Sequence, residues 1–234
     1  ELNTKLAKMN LAVHGLEGNI QEGNTFYEDK HNLVGGADFV MANPPFNVDG
    51  VDKGKDAVKK DPRLMLDGKV YLPKNDNANY LWIQYFYNYL KPTGRAGFVM
   101  ASSASDAGHS EKDIREKLVK TGAVDVMMAI GNNFFYTRSL PCTLWFFDRG
   151  KESKHDFEDS EINTIKANGE QKSCLSFNQR NRVLMLDARK IYRKVTSKVN
   201  DFSPEQSQNL ICIVNLYRGN PTKFEATVKS YSET

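Results

Sequence analysis

Leu6, Met9 and Val13 recur three and four positions apart across residues 4–14, the spacing of one helical face, and Gly15 follows as a stop. Residues 37–43 form a short apolar segment that predicts a buried strand, closed by Pro44 and Pro45, which lack the N–H that a ladder needs. Residues 47–77 are rich in charge, Gly and Pro, which predicts a long mobile loop beside a site rather than core. Leu81, Trp82, Tyr85, Phe86, Tyr89 and Leu90 then lay an aromatic stripe on a helix over 79–90, ended by Lys91-Pro92-Thr93-Gly94. A strand over 95–101, a helix from a Ser110 cap to about Thr121 with Gly122 at its end, and strands over 124–130 and 142–147 follow. This alternation predicts an α/β fold, a mostly parallel sheet with helices on both faces.

The pattern changes beyond Arg149. Residues 151–171 are polar, with Gly169 as a hairpin turn, and 183–186 form a short strand. A basic helix is expected from 188 to about 198, carrying Arg189, Lys190, Arg193, Lys194 and Lys198 toward phosphate, another subunit or plain solvent. Ser203-Pro204-Glu205-Gln206 is a capped helix start, and that helix runs to 216 or 217. The chain thus divides into a main domain over 1–150 and a C-terminal extension of hairpin and helices over 151–234.

With 234 residues, 40% hydrophobic and 26% charged, the chain can bury a core without disulfides. No apolar run approaches the roughly 20 residues of a membrane span. Cys142, Cys174 and Cys212 are an odd set without Cys-x-x-Cys spacing, which argues for buried thiols in a reducing cytoplasm. The four histidines are dispersed, so no metal site is expected. A net charge of +3 is compatible with nucleic acid without demonstrating it. Glu1-Leu2-Asn3 has neither an initiator Met nor a signal-peptide profile, so a piece of a longer chain is expected.

The sharpest chemical signal is Asn43-Pro44-Pro45-Phe46, directly after a strand. Such a tetrapeptide arises by chance in roughly 1% of chains this long. A rigid proline turn is the structural alternative. Each proline holds the residue before it extended, so the Asn43 amide oxygen and the Pro44 carbonyl can converge as two acceptors on one NH₂ group. Two acceptors pulling on an amino group favour its tetrahedral transition state over the flat ground state, and Phe46 offers a face on which a planar base stacks.

These residues resemble the amino-group DNA methyltransferases that use S-adenosylmethionine, most closely the modification (M) subunit of type I restriction–modification systems. Residues 1–15, Leu90-Lys91-Pro92-Thr93-Gly94-Arg95-Ala96, Leu186-Asp187-Ala188-Arg189-Lys190-Ile191 and Phe202-Ser203-Pro204-Glu205-Gln206 extend the likeness along nearly the whole chain. The resemblance implies a Rossmann-like methyltransferase fold and an N6-adenine DNA methyltransferase acting on double-stranded DNA. Its implied partners are a specificity (S) subunit, a restriction (R) subunit and a second M subunit.

It also implies roles. Glu1 matches the acid that accepts from the cofactor ribose, although a solvent-facing Glu is the plain alternative. Gly23-Asn24-Thr25-Phe26 matches the turn that contacts the cofactor's adenine, with Asn24 where the family usually has Asp. Asn43 and Pro44 hold the target amino group, with Asn43 also beside the cofactor. Pro45 stiffens the segment, Phe46 stacks on the extruded base, and Phe135 packs on that base from another direction, with Phe134 as the fallback. Core packing is the alternative for these two aromatics. The implied mechanism is direct transfer, the flipped base's amino nitrogen attacking a sulfonium methyl without a nucleophilic Cys.

Lys53, Lys55, Lys59, Lys60 and Arg63 would approach DNA. The chain lacks the family's Gly-rich turn after the first strand, so these residues alone are expected to bind cofactor weakly or not at all, and to be inactive in isolation. The family sheet order 3-2-1-4-5-7-6 further implies an open edge beside strand 4 and looseness of the first 36 residues. Two rivals remain: methylation of an RNA base or a protein glutamine amide, and an inactive interaction fragment of the same fold.

Overall fold

The computed structural model describes residues 1–74, 76–151, 160–165, 171–176 and 182–232. Helix α1 (Leu2–Val13) ends before Gly15, whose φ of 65° suits the left-handed stop. Its apolar stripe faces solvent, with Leu2, Leu6, Met9 and Val13 all exposed. Strand β1 (Ala37–Ala42) corrects the expectation of full burial. Val40 and Ala42 pack on the core, whereas Phe39 and Met41 on the opposite face are 78% and 94% exposed.

The segment expected as a mobile loop is instead a small folded layer. It contains α2 (Asp56–Lys59), a 3₁₀ turn (Pro62–Leu64) and a hairpin of β2 (Met65–Leu66) and β3 (Lys69–Val70). Val58 and Leu64 are buried in an apolar cluster with Phe26, Leu81 and Tyr85. These apolar residues are scattered singly among charges, so no periodicity announced them. Arg63, placed with the DNA-facing lysines by sequence, is buried.

Helix α3 (Asn79–Tyr89) is buried on two faces rather than along one stripe. Leu81 and Tyr85 meet that layer, while Tyr80, Ile83 and Phe86 join the sheet's core. Then come β4 (Leu90–Ala101), α4 (Ser103–Asp106), α5 (His109–Lys120), β5 (Val124–Ile130) and β6 (Cys142–Asp148). Gly108, not Ser110, is the N-cap of α5; the Ser110 hydroxyl accepts from the Lys74 backbone N–H at 2.7 Å. Gly122 takes φ 75° after α5, the turn role expected of it.

Strands β7 (Ser160–Ile165) and β8 (Gln171–Ser176) pair as the antiparallel hairpin expected in the polar excursion, though its turn residue Gly169 lies outside the described residues. Strand β9 (Leu184–Ala188) matches the predicted short strand. The basic helix does not form. Residues 193–194 and 200–201 make a hairpin of β10 (Arg193–Lys194) and β11 (Asn200–Asp201), in which Arg193 forks onto Asp201 at 2.9 and 2.6 Å. Val195 and Val199, β-branched and joined by a backbone hydrogen bond at 2.9 Å, favour that hairpin over a helix. Helix α6 (Pro204–Tyr217) starts with a complete capping box between Ser203 and Gln206, and α7 (Pro221–Ser232) follows.

The main sheet runs β1-β4-β6-β5-β9. β1 is parallel to β4 and β5 to β9, while β6 is antiparallel to both neighbours. The reversal follows from the chain: β5 and β6 are joined by a loop without the crossover helix a parallel pair needs. The order β1-β4-β6-β5 is the 4-5-7-6 half of the order the resemblance implies. β1 pairs only with β4 among the described residues, leaving the expected open edge. The core lies between the sheet and α3 and α5, where Phe98 meets Phe86 at 4.9 Å and Phe147 at 5.1 Å between ring centroids.

Candidate active site

Open α/β sheets present ligand sites beyond the carboxyl ends of their strands, and β1 delivers Asn43–Phe46 there. Pro44 is buried, Phe46 is half-buried, and Asn43 and Pro45 are exposed. Among the described residues, nothing hydrogen-bonds the Asn43 amide, so it does not brace its own backbone. The next residue after Phe46, Asn47, takes a left-handed φ of 52°. Its backbone N–H donates to Asn79 Oδ1 at 3.0 Å, and Asn79 Nδ2 donates back to Asn47 Oδ1 at 2.8 Å. The strand exit is therefore fastened to the start of α3.

Phe46 meets Phe135 edge to face, with centroids 6.2 Å apart and planes at 76°. Phe134 turns elsewhere, packing on Phe202 at 4.8 Å. The loop between β5 and β6 is pinned by Asn200, whose backbone N–H donates to the Asn133 carbonyl at 2.7 Å and whose Nδ2 donates to the Asn132 carbonyl at 3.1 Å. Sequence reasoning missed Asn47, Asn79, Asn200 and Phe202. An Asn two positions beyond the proline pair was the available signal for a left-handed residue.

At the turn over residues 24–27, Asn24 Oδ1 accepts from the Phe26 backbone N–H at 3.1 Å, and its carbonyl accepts from Tyr27 at 2.9 Å. The Asn side chain thus shapes the turn. Phe26 is buried against Trp82 at 4.7 Å, while Asn24 and Thr25 are exposed. The Thr25 carbonyl accepts from Arg63 at 2.9 Å, and Arg63 forks onto Asp61 at 2.9 and 2.7 Å. Burial works against the Arg63 charge, but its hydrogen bonds to Asp61 and Tyr89 outweigh that and hold its pKa above the ordinary value. Tyr27 links the turn to the folded layer by accepting from the Asp52 backbone N–H at 2.9 Å.

Glu1 is exposed and accepts from Lys5 Nζ at 2.7 Å. A cavity of about 240 Å³ lies between α6 and the sheet, lined by Val126, Met128, Phe146 and Leu210 among others, and includes none of the residues above. Burial pushes the Cys142 thiol up to about 11, so it is no nucleophile. Among the described residues there is no cluster able to hold a metal, and no helix is long and apolar enough to cross a membrane.

The N-6 DNA Methylase family model matches residues 1–232. The chain belongs to that family. It is 32% identical over 208 residues to the type I restriction enzyme MjaIX methylase subunit of Methanocaldococcus jannaschii, covering 88% of this chain and 33% of that protein. It is 31% identical over 155 residues to the HindI methylase subunit of Haemophilus influenzae, covering 64% of this chain and 33% of that one. The chain therefore spans about a third of the length of these curated relatives. The type I methyltransferase subunit of Streptococcus thermophilus superposes with TM-score 0.68 at 23% identity, over 93% of this chain and 40% of that one. The EcoKI M protein does so with TM-score 0.57 at 23% identity, over 87% and 37%. These two likenesses show that the chain has the methyltransferase fold.

Proposed function

We propose that the full-length gene product is the adenine-specific DNA methyltransferase subunit of a type I restriction–modification system. It uses S-adenosylmethionine and double-stranded DNA, and works in the cytoplasm with specificity and restriction subunits and a second copy of itself. The observation that carries this is the exposed, unengaged Asn43 amide on a proline-stiffened strand exit, next to the Phe46–Phe135 pair. Family membership and curated relatives named as type I methylase subunits support it. Residues 1–150 carry the chemistry and residues 151–234 extend it.

The cofactor's nucleoside end suits the residues present: an exposed carboxylate at Glu1 and an exposed, anchored turn at Asn24–Thr25. When bound, S-adenosylmethionine supplies an electrophilic methyl group. Asn43 Oδ1 and the Pro44 carbonyl accept the two N–H bonds of adenine N6, bonds that strengthen as the nitrogen becomes tetrahedral. Phe46 and Phe135 hold the extruded base by its faces and exclude water from it. The surplus proton remains on N6, hydrogen-bonded to these acceptors, until it passes to solvent.

The test is to incubate the gene product and its specificity subunit with tritiated cofactor and duplex DNA, RNA or protein. Label on adenine N6 of the duplex supports the proposal. Label on RNA or on a glutamine amide, with none on DNA, defeats it.

A further inference from the structure

We infer that Arg63 is a positioning residue for the turn over residues 24–27, holding it in the place that receives the nucleoside end of S-adenosylmethionine. The inference rests on the assignment of Asn24 and Thr25 as cofactor contacts. Its starting point is a puzzle of burial: Arg63 and Asp61 are 2% and 4% exposed inside an otherwise apolar layer. A buried ion pair carries a large desolvation penalty, and well-packed apolar residues often serve stability as well or better. Some property of the guanidinium other than packing must be in use.

That property is its number of directed donors. Arg63 Nε and one terminal nitrogen fork onto Asp61, and the other terminal nitrogen donates to the Tyr89 hydroxyl at 3.0 Å. The guanidinium also lies 4.2 Å from the Tyr85 ring centroid, and the Arg63 carbonyl accepts from Asn88 at 2.8 Å. All of these partners belong to the 3₁₀ turn, its cap or α3. The remaining one, the Thr25 carbonyl at 2.9 Å, belongs to the exposed turn.

The turn's internal hydrogen bonds, Phe26 N–H to Asn24 Oδ1 and Tyr27 N–H to the Asn24 carbonyl, fix its shape but not its place. Its place comes from Phe26 seated on Trp82, from the Tyr27 hydroxyl on the Asp52 backbone and from Arg63 on Thr25, and of these only Arg63 joins the turn to the cap of the 3₁₀ turn and to α3 by hydrogen bonds. The Arg63 side chain thereby transmits the rigidity of α3 to the turn, and leaves the exposed side chains of Asn24 and Thr25 clear. A lysine at 63 keeps the charge and one bond to Asp61, but it lacks the fork and cannot hold Asp61, Tyr89 and Thr25 together.

The test is calorimetric titration of S-adenosylmethionine into the full-length gene product, with duplex binding and thermal unfolding measured on the same samples. Arg63→Lys is expected to weaken cofactor binding roughly tenfold, the usual weight of a hydrogen bond to a charged group, with duplex affinity unchanged. Tyr89→Phe removes one partner of the same guanidinium but keeps the Asp61 fork, the Tyr85 ring and the Thr25 bond, so it should weaken cofactor binding much less than Arg63→Lys. Unaltered affinity in Arg63→Lys, or equal weakening by both variants, overturns the inference. If Arg63→Lys lacks a cooperative unfolding transition, the double variant Asp61→Asn, Arg63→Met removes both charges together, which buried pairs tolerate better than the loss of one. The double variant carries the same expectation and the same contrary result. A wild-type protein that binds duplex but takes no S-adenosylmethionine removes the cofactor assignment itself, and the inference with it.

Discussion

Asn47 and Asn79 exchange hydrogen bonds across 32 residues of chain, the Asn47 backbone donating to the Asn79 side chain and the Asn79 amide donating back to Asn47. Asn79 is buried at the first turn of α3, and Asn47 has a φ of 52°. The pair fixes the exit of the tetrapeptide that follows β1. Asn tolerates this conformation better than most residues, and it supplies the acceptor that Asn79 needs.

Replacements at position 47 should separate backbone from side chain. Asn47→Gly keeps the left-handed conformation and loses only the amide, whereas Asn47→Ala adds about 1–2 kcal/mol of steric strain. Thermal unfolding should place the Ala variant lower than the Gly variant by roughly 2–8 °C, at about 2–4 °C per kcal/mol for a chain of this size. Equal midpoints would show that the conformation at Asn47 is not strained.

The two adjacent phenylalanines should differ in their effect on methyl transfer. Phe134 packs on Phe202 and is half-buried, so Phe134→Ala should cost about 2 kcal/mol, less than the 3–5 of a full core position, and leave methyl transfer at permissive temperature intact. Phe135→Ala, half-buried against Phe46, should cost a similar amount of stability and in addition lower transfer at permissive temperature roughly ten- to hundredfold by removing about 1–3 kcal/mol of base stacking. Chemical denaturation paired with single-turnover kinetics reads both. The reverse pattern would move the base contact to Phe134.

Cys142 predicts a pH dependence of stability. Its pKa is pushed by burial from 9.0 to about 11, so the folded state favours the neutral thiol. The group's full contribution is present below pH 9 and is lost as pH rises from there through about 11. Urea unfolding midpoints should therefore fall across that window, and the Cys142→Ala variant should lose part of the slope. A wild-type midpoint flat from pH 9 to 11 would contradict this. Cys212, half-buried where Cys142 is buried, should be the first of the two to be alkylated by a thiol reagent.

The start of α6 is the most local prediction. Ser203 and Gln206 complete a reciprocal cap at 3.2 and 3.0 Å, and Ser203→Ala should cost about 1 kcal/mol, seen as a drop of roughly 2–4 °C in the melting midpoint. No shift would mean that α6 is held by packing alone.

What could be read from sequence was local. The strand exit at Pro44-Pro45, the aromatic helix after Asn79 and the Ser203–Gln206 cap each carry their signal within a few residues, and each appears where expected. The layer over residues 47–78 was misread because Val58 and Leu64 acquire meaning only against Phe26, Leu81 and Tyr85, which lie far away in sequence. Arg63 was misread for the same reason: a lone charge predicts a surface unless its partners are visible, and only Asp61 lay near enough to be noticed. The basic stretch after Ala188 was overturned by acids flanking it, since Asp187 takes Arg189 and Asp201 takes Arg193. In the candidate site, the strand exit that carries the tetrapeptide lies where the sequence put it, and Phe135 lies beside Phe46. The residues that hold them, Asn79 and Asn200, were not legible, because an Asn in sequence does not reveal which carbonyl or amide it will meet.

The most direct test is single-turnover methyl transfer by the full-length gene product with Asn43→Ala, using a duplex that binds the wild-type protein. A fall of roughly 10²–10³-fold in the transfer rate at saturating cofactor, with duplex affinity preserved, is expected if the Asn43 amide oxygen stabilises the reacting amino group. Transfer at the wild-type rate would show that this acceptor takes no part in the chemistry.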